Sequence, residues 1–364
     1  MCHVTSGCAP NAAVRKQMMR ALQLTGPGTL ELREVPIPTI GPTDLLLQVG
    51  AAGICHSDSF VLGLPFPLRA DPLTMGHEIA GTIAAVGSEV GGRIEGERGL
   101  VYLCWSCGVC RECVSGNENV CLAAGRTAMP PCPGLGPDGG MAEYVRIPAT
   151  SFVPIGDLDF ATAAPLADAA LTPYHAIRGA ADQLRPGATA VAIGIGGLGH
   201  VAVQILKAVT ACRIIAVDVA PDKLELATAC GADLVMTADE TTAARILDCT
   251  GGRGAEAVFD FVGNDATAKL AVESVAPNGA YRMVGLDGGI PGIDAGPAGG
   301  PGLPWGATVR KSYGGTKSDL YAAVALAQRG AIDVAVERFD LAAGPTAFER
   351  LDQGLIRGRA VLIP

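Results

Sequence analysis

Four cysteines of this 364-residue chain have a spacing that suits a metal ion. They are Cys107, Cys110, Cys113 and Cys121, with two residues between each of the first three and seven before the last. Four thiolates hold Zn²⁺ in a closed tetrahedron with no position for water, which is the arrangement of a structural site. The spacing therefore predicts a structural zinc.

A glycine-rich segment could hold a dinucleotide. It reads Gly194-Ile195-Gly196-Gly197-Leu198-Gly199, and it lies between an apolar strand pattern and a helical pattern. The glycines allow a tight turn and a close approach of the backbone to pyrophosphate at the helix N-terminus. Asp218, at the end of the next predicted strand, would accept hydrogen bonds from ribose hydroxyls and repel a 2′-phosphate. The segment therefore predicts NAD rather than NADP.

A third set of candidate ligands is dispersed along the chain. Cys55 begins the sequence Cys-His-Ser-Asp, His77 lies in Gly-His-Glu, and Asp168 follows much later. A thiolate and an imidazole suit zinc, and three protein ligands with one open position define a catalytic site. Each residue taken alone also has an ordinary interpretation as a core or surface side chain, so the order by itself leaves both interpretations open.

The elements that would position these residues differ between the two parts of the chain. From Met18 the pattern is of short β-rich segments separated by Gly and Pro. From about Ala163, apolar strands alternate with helical periodicity, with strands predicted at 190–195, 214–219, 257–262, 280–284 and 309–313. Such alternation predicts an α/β protein with a parallel sheet covered by helices on both faces.

Composition and charge narrow the function classes. The net charge is -9, from 27 basic and 36 acidic residues, and no dense Lys/Arg run occurs. Nucleic acid and anionic membranes are therefore not expected as partners. Apolar runs are shorter than the roughly 20 residues of a spanning helix. Residues 1–17 have no apolar signal core and are predicted to be a flexible tail, and the protein is expected to be cytoplasmic.

Several motifs together carry a family resemblance. GICHSD, GHE, the four-cysteine segment, PLADAALTPYHA and GIGGLGH occur in this order. The chain from about Met18 to Pro364 thereby resembles the zinc-dependent alcohol dehydrogenases of the medium-chain dehydrogenase/reductase superfamily, and bacterial NAD-dependent secondary alcohol dehydrogenases in particular. The resemblance implies a GroES-like β-rich catalytic domain, residues 18–167 and 314–364, and a doubly wound Rossmann NAD-binding domain, residues 168–313.

The resemblance also implies roles for individual residues. Cys55, His77 and Asp168 would bind the catalytic zinc, and Glu78 would be the adjacent carboxylate able to approach the metal. Ser57 would accept the substrate's hydroxyl proton, and Asp58 would hold the far nitrogen of His77. Further residues would contact the cofactor: Thr172 at the nicotinamide, His56 and Arg357 at the pyrophosphate, and Lys223 at the adenosine ribose.

The implied activity is reversible oxidation of alcohols, secondary alcohols in particular, to ketones or aldehydes, with NAD and two zinc ions per chain, in a homodimer or homotetramer. Phe60 stands where many members have a histidine that ends the proton relay, and Phe60, Trp305 and Tyr313 are candidate walls of an apolar pocket. The alternatives are a polyol dehydrogenase or aldehyde reductase of the same superfamily, and a non-catalytic NAD-binding protein. The retained Cys55, His77, Asp168 and Ser57 disfavour the non-catalytic alternative.

Overall fold

The computed structural model describes residues 18–293 and 302–364, so the predicted tail at 1–17 lies outside the described residues. The strands are β1 (Met18–Gly26), β2 (Thr29–Pro36), β3 (Asp44–Ile54), β4 (Leu73–Thr74), β5 (Glu78–Val86), β6 (Arg98–Val101), β7 (Tyr144–Pro148), β8 (Phe152–Pro154), β9 (Thr189–Ile193), β10 (Arg213–Asp218), β11 (Leu234–Thr237), β12 (Ala255–Asp260), β13 (Val275–Met283), β14 (Thr308–Lys311), β15 (Val336–Asp340) and β16 (Arg359–Ile363). The helices are α1 (His56–Leu62), α2 (Arg111–Val114), α3 (Phe160–Ala163), α4 (Leu171–Arg178), α5 (Gly199–Val209), α6 (Pro221–Ala229), α7 (Thr242–Cys249), α8 (Asp265–Ser274), α9 (Lys317–Gln328) and α10 (Gly344–Asp352).

The first unit is rich in β-strands and uses both ends of the chain. Its larger sheet has the order β15-β16-β3-β5-β6-β8, and β7 also pairs with β3. A three-stranded sheet of β2, β1 and β4 accompanies it. The C-terminal strand β16 runs antiparallel to β3, with Ala360 opposite Ile54. The chain therefore returns to its N-terminal half after the second unit is complete.

The second unit is a parallel sheet with the order β11-β10-β9-β12-β13-β14. Every pairing in it is parallel. Helix α5 packs on β9 and β10, and α8 packs on β12 and β13. This is the doubly wound α/β arrangement that the strand–helix alternation predicts. The chain moves from β9 to β10 on one side and later to β12 on the other, so the sheet has a switch point at the carboxyl end of β9.

The two units share an apolar core. One buried cluster contains Ala51 and Val361 from the β-rich unit together with Ala190 and Val203 from the parallel-sheet unit. Packing across the junction holds the carboxyl end of the parallel sheet against the β-rich unit. The domain boundaries that we give above stay predictions.

No helix within residues 18–293 and 302–364 is long and apolar enough to cross a membrane.

Candidate active site and metal centres

The four predicted structural ligands converge in the loop around α2. The Sγ atoms of Cys110 and Cys113 lie 3.4 Å apart, and those of Cys110 and Cys121 lie 3.9 Å apart. Sulfur atoms at about 2.3 Å from a tetrahedral zinc are separated by roughly 3.8 Å. A hydrogen bond from the backbone of Cys113 lowers the pKa of Cys110 to about 6, which favours the thiolate that binds metal. The cluster fits a closed zinc site.

The dispersed ligands come together from three separate elements. Cys55 is the N-cap of α1, directly after β3, and His77 directly precedes β5. Asp168 ends a short 3₁₀ turn and precedes α4. One potential ligand atom of each residue lies within 4.8 Å of the others. Cys55 and His77 lie close together because β3 and β5 are neighbours in the sheet.

The distances in this second cluster suit a zinc ion with three protein ligands. Asp168 Oδ2 lies 3.4 Å from Cys55 Sγ and 3.7 Å from His77 Nε2. Tetrahedral zinc with ordinary bond lengths requires roughly 3.6 and 3.4 Å for these separations. One sulfur, one nitrogen and one oxygen donor leave a fourth position for a substrate, so the cluster fits a catalytic site.

Buried partners fix the orientation of the ligands. Asp58 Oδ1 lies 3.1 Å from His77 Nδ1, which leaves Nε2 for the metal. The Thr172 hydroxyl donates to Asp168 Oδ1 at 2.7 Å. Burial alone would raise the pKa of the Asp168 carboxyl, but hydrogen bonding to His77 and the charge of Arg359 hold it well below its usual range. Asp168 is therefore a carboxylate, as metal binding requires.

Glu78 is adjacent to this cluster but outside it. Among the described residues, the side chains whose potential ligand atoms lie within 4.8 Å of one another at this site are Cys55, His77 and Asp168, and Glu78 is not one of them. Both Glu78 carboxylate oxygens accept from Arg359 Nε, at 3.0 and 3.1 Å, and Arg359 Nη2 donates to Asp168 at 2.8 Å. Glu78 begins β5, and the pairing with Arg359 holds its carboxylate. Glu78 is thus held in an ion pair with Arg359 in this structure, and its approach to the metal stays a prediction.

The glycine turn lies at the switch point of the parallel sheet. Gly194 follows β9 with a φ of 86°, a conformation that favours glycine. A Cβ on Gly199 would overlap the carbonyl oxygen of Gly194, and a Cβ on Gly197 would overlap the Arg359 guanidinium. Clefts at switch points are where open α/β sheets bind ligands, and here α5 begins directly at the turn.

Asp218 is bound to the same turn. Its Oδ2 accepts from the Ile195 backbone N–H at 2.6 Å, and its Oδ1 accepts from Ala220 at 2.9 Å. The carboxylate thus stands at the carboxyl end of β10, next to the turn. This is the position from which an acidic side chain contacts an adenosine ribose in such folds.

Comparisons with known proteins agree with this geometry. Residues 41–157 match the alcohol dehydrogenase GroES-like domain, and residues 197–329 match the zinc-binding dehydrogenase family. An alcohol dehydrogenase of Geobacillus stearothermophilus is 36% identical over 92% of this chain and 96% of its own length. The chain belongs to the zinc-type alcohol dehydrogenases.

Solved structures extend this result. The alcohol dehydrogenase of Aeropyrum pernix has a TM-score of 0.87 at 32% identity, covering 95% of this chain and 100% of its own. Acetophenone reductase from Geotrichum candidum in complex with NAD has a TM-score of 0.80 at 30% identity, covering 96% and 98%. This zinc-type alcohol dehydrogenase is therefore an oxidoreductase that acts on CH–OH groups, and the predicted GroES-like and Rossmann folds are confirmed.

The other residues that the family resemblance predicts for the site differ in burial. Ser57 Oγ is 3.7 Å from Cys55 Sγ, so it lies at the metal site. His56 is exposed at the start of α1. Lys223 is largely buried and donates to the carbonyl of Ile356, which links α6 to the segment before β16.

Arg359, rather than Arg357, is the arginine at the glycine turn. Arg357 is exposed, and its backbone N–H donates to Glu337 at 2.8 Å. Arg359 is 2% exposed and packs against Gly197 while it pairs with Glu78 and Asp168. The family resemblance predicts Arg357, two residues away, for the pyrophosphate. A single basic residue at the start of the apolar strand Arg359–Ile363 is the sequence signal that could have identified it.

The three candidate pocket walls differ in burial. Phe60 and Trp305 are 69% and 80% exposed within the chain, which does not suit walls of an enclosed pocket. The Tyr313 hydroxyl, in contrast, is buried without a hydrogen-bond partner among the described residues. Tyr313 alone keeps the role of a candidate wall.

Proposed function

We propose that this chain oxidises secondary alcohols to ketones, and reduces the ketones in reverse, with NAD as the hydride acceptor. The observation that carries the proposal is Arg359, which contacts both Asp168 of the three-ligand cluster and Gly197 of the glycine turn. The metal site and the cofactor turn are therefore neighbours, as hydride transfer requires. The similarity to acetophenone reductase supports a ketone, and hence a secondary alcohol, as substrate.

The chain's own residues would divide the chemistry as follows. Zinc held by Cys55, His77 and Asp168 supplies a Lewis acid that lowers the pKa of a bound alcohol. Ser57, beside Cys55, accepts the hydroxyl proton and passes it toward the cofactor ribose. NAD held at the glycine turn would supply the hydride acceptor for the carbinol carbon, and Thr172 would contact its nicotinamide. Phe60 cannot act as an acid or base, so the proton leaves by another group or by solvent.

Asp218 supports NAD as the cofactor. Its carboxylate would accept from the ribose hydroxyls and repel the 2′-phosphate of NADP. We expect Asp218→Ser to raise the use of NADP relative to NAD. Because Asp218 also holds the Ile195 N–H, overall cofactor affinity should fall as well. A wild-type enzyme that prefers NADP in a steady-state assay would contradict this assignment.

The decisive experiment concerns Asp168. Wild-type protein should contain two zinc ions per chain and form NADH from 2-propanol or 1-phenylethanol faster than from 1-propanol. Asp168→Ala should abolish turnover and leave one zinc, because only the four-cysteine site stays complete. NADH binding, followed by fluorescence, should be retained. Asp182→Ala, at an exposed position, is the matched control.

An Asp168→Ala variant with two zinc ions and near-normal activity would overturn the ligand assignment. A wild-type enzyme that acts on polyols or aldehydes and not on 2-propanol would overturn the substrate class. The polyol dehydrogenase and aldehyde reductase alternatives are not favoured by any contact in the site.

We further propose that the enzyme is a homo-oligomer. Strand β14 is at the edge of the parallel sheet, and within the described part of the chain no strand pairs with its outer side. Trp305, just before β14, is largely exposed. An unpaired edge next to an exposed aromatic side chain suits a second copy of the chain. Both a dimer and a tetramer fit this proposal, and the cytoplasmic location stays a prediction.

A further inference from the structure

We propose that His200 is a positioning residue of the dehydrogenase. Its imidazole ties the glycine turn to the C-terminal strands that carry Arg359, and thereby sets the cofactor turn relative to the metal site. The inference rests on the proposed function. In the sequence, His200 lies in an apolar helical pattern, which predicts a core or helix-packing role.

The contacts of His200 define its protonation state. It is fully buried at the start of α5, with Nδ1 2.8 Å from the Gly196 carbonyl oxygen and Nε2 3.2 Å from the Ala335 backbone nitrogen. The carbonyl can only accept and the N–H can only donate. Both contacts are satisfied only when the ring is neutral and carries its proton on Nδ1.

A continuous chain of hydrogen bonds leads from His200 to a metal ligand. The carbonyl of Ala335 accepts from the Arg359 backbone N–H at 2.8 Å, and the Arg359 side chain donates to Asp168 at 2.8 Å. The glycine turn is thus joined to Asp168 through one imidazole, one residue before β15 and one arginine. Displacing the imidazole should shift the turn and the arginine relative to each other.

The charges around His200 favour the neutral ring. Burial and the nearby charges of Arg359 and Lys223 lower the pKa of His200 to about 4, against a smaller opposing effect of the bond to Gly196. The same two cations flank a turn that would hold a pyrophosphate. The neutral His200 ring therefore donates to the Gly196 carbonyl and orients the turn. It does so without adding a third positive charge beside Arg359 and Lys223.

Gln204, one turn later on α5, provides a matched comparison. Its amide binds Asp333 twice, accepting from the backbone N–H at 2.8 Å and donating to the carbonyl at 2.8 Å. Gln204 therefore fastens the same C-terminal segment to the same helix. It has no hydrogen bond to the glycine turn among the described residues. A role in joining the two units can thus be separated from a role in positioning the turn.

The test compares NADH affinity in three variants of the zinc-loaded enzyme. His200→Phe keeps a planar aromatic ring, larger than imidazole, and removes both hydrogen bonds, so we expect about a tenfold rise in the NADH dissociation constant and in KM for NAD. The KM for alcohol should change less. His200→Gln can donate and accept from its two amide atoms and should restore affinity to within about threefold of wild type. Gln204→Leu should lower the melting temperature with NADH affinity within about threefold of wild type.

Unchanged NADH affinity in His200→Phe would overturn the proposal, as would an equal loss in Gln204→Leu. If His200→Phe does not fold, His200→Asn is compared with His200→Gln, since the shorter amide cannot span both partners. Equal affinity of these two would also count against a positioning role. Wild-type protein that binds NADH but oxidises no alcohol would refute the proposed function alone, because the affinity comparison stays measurable.

Discussion

Arg359 lies buried between two carboxylates, Glu78 and Asp168, in the junction of the two units. Burial raises the pKa of Glu78 to about 7, with Arg359 acting in the opposite direction. The guanidinium therefore offsets two buried negative charges. Such a pair contributes little net stability compared with an apolar replacement, but the loss of one partner leaves an uncompensated charge.

We accordingly expect Arg359→Met to lower the free energy of unfolding by about 3 kcal/mol. The double variant Glu78→Gln/Arg359→Met should recover part of this loss, because one of the two carboxylates that Arg359 pairs is then neutral. Urea unfolding at pH 8, where the wild-type Glu78 is ionised, measures both. A direct pair would be contradicted if the loss of unfolding free energy in the double variant equals the sum of the losses in Glu78→Gln and Arg359→Met.

His200 gives a pH dependence with a definite sign. Its pKa of about 4 in the folded protein lies below the value of about 6.5 for an unfolded chain. Between these values the unfolded state binds more protons, so stability falls as pH decreases and is fully present above about pH 6.5.

We expect the wild type to lose about 2 kcal/mol more than His200→Gln between pH 7.5 and pH 5. Both proteins keep the same zinc ligands, so acid effects on metal binding largely cancel in the difference. Denaturant unfolding at the two pH values measures it. Parallel stability curves for the two proteins would show that His200 is not held neutral.

At the scale of elements, the four-cysteine loop is hydrogen-bonded to the first residue of α9 and to the segment before that helix. Glu118 Oε1 accepts from the Lys317 backbone N–H at 2.6 Å, and the Asn119 side chain donates to the Tyr313 carbonyl at 3.0 Å. Asn119 also lies 3.4 Å from His175, on α4. The loop therefore helps to place Tyr313, the remaining candidate wall, through backbone contacts.

Cys110→Ser should release the structural zinc and lower the melting temperature, because a closed metal site contributes folding free energy. Through Asn119, we also expect the KM for alcohol to rise more than the KM for NAD. Metal analysis and thermal scanning check the first part, and steady-state kinetics the second. Cys249→Ser, outside both clusters, is the control. An unchanged melting temperature with one zinc lost would defeat the idea.

At the scale of the whole molecule, the edge strand β14 is the feature that bears on assembly. If a second copy of the chain covers it, Trp305→Arg should lower the oligomer mass measured by light scattering, since a charge would be buried in the interface. Ile94→Arg changes an equally exposed apolar residue of the β-rich unit and should leave the mass unchanged. Equal masses for all three proteins would exclude this edge as the interface.

Local patterns determined much of the fold and part of the site. The four-cysteine site and the glycine turn are each built within a few residues, so spacing alone specified them. Strand–helix alternation predicted the parallel sheet because both faces of such a sheet are covered. The short strand β11, with half-buried leucine and valine, gave too weak an apolar pattern and was not predicted.

Only the tertiary structure decided which dispersed residues meet. Glu78 and Arg359 are 281 residues apart, and their ion pair exists because β16 returns to pair with β3 beside β5. That pairing joined Glu78 to Arg359 and brought Arg359, rather than Arg357, to the glycine turn. His200 likewise acquires its role from Ala335 across the junction. Side-chain periodicity records which face of an element is buried, and it carries no information about the partner that packs against that face.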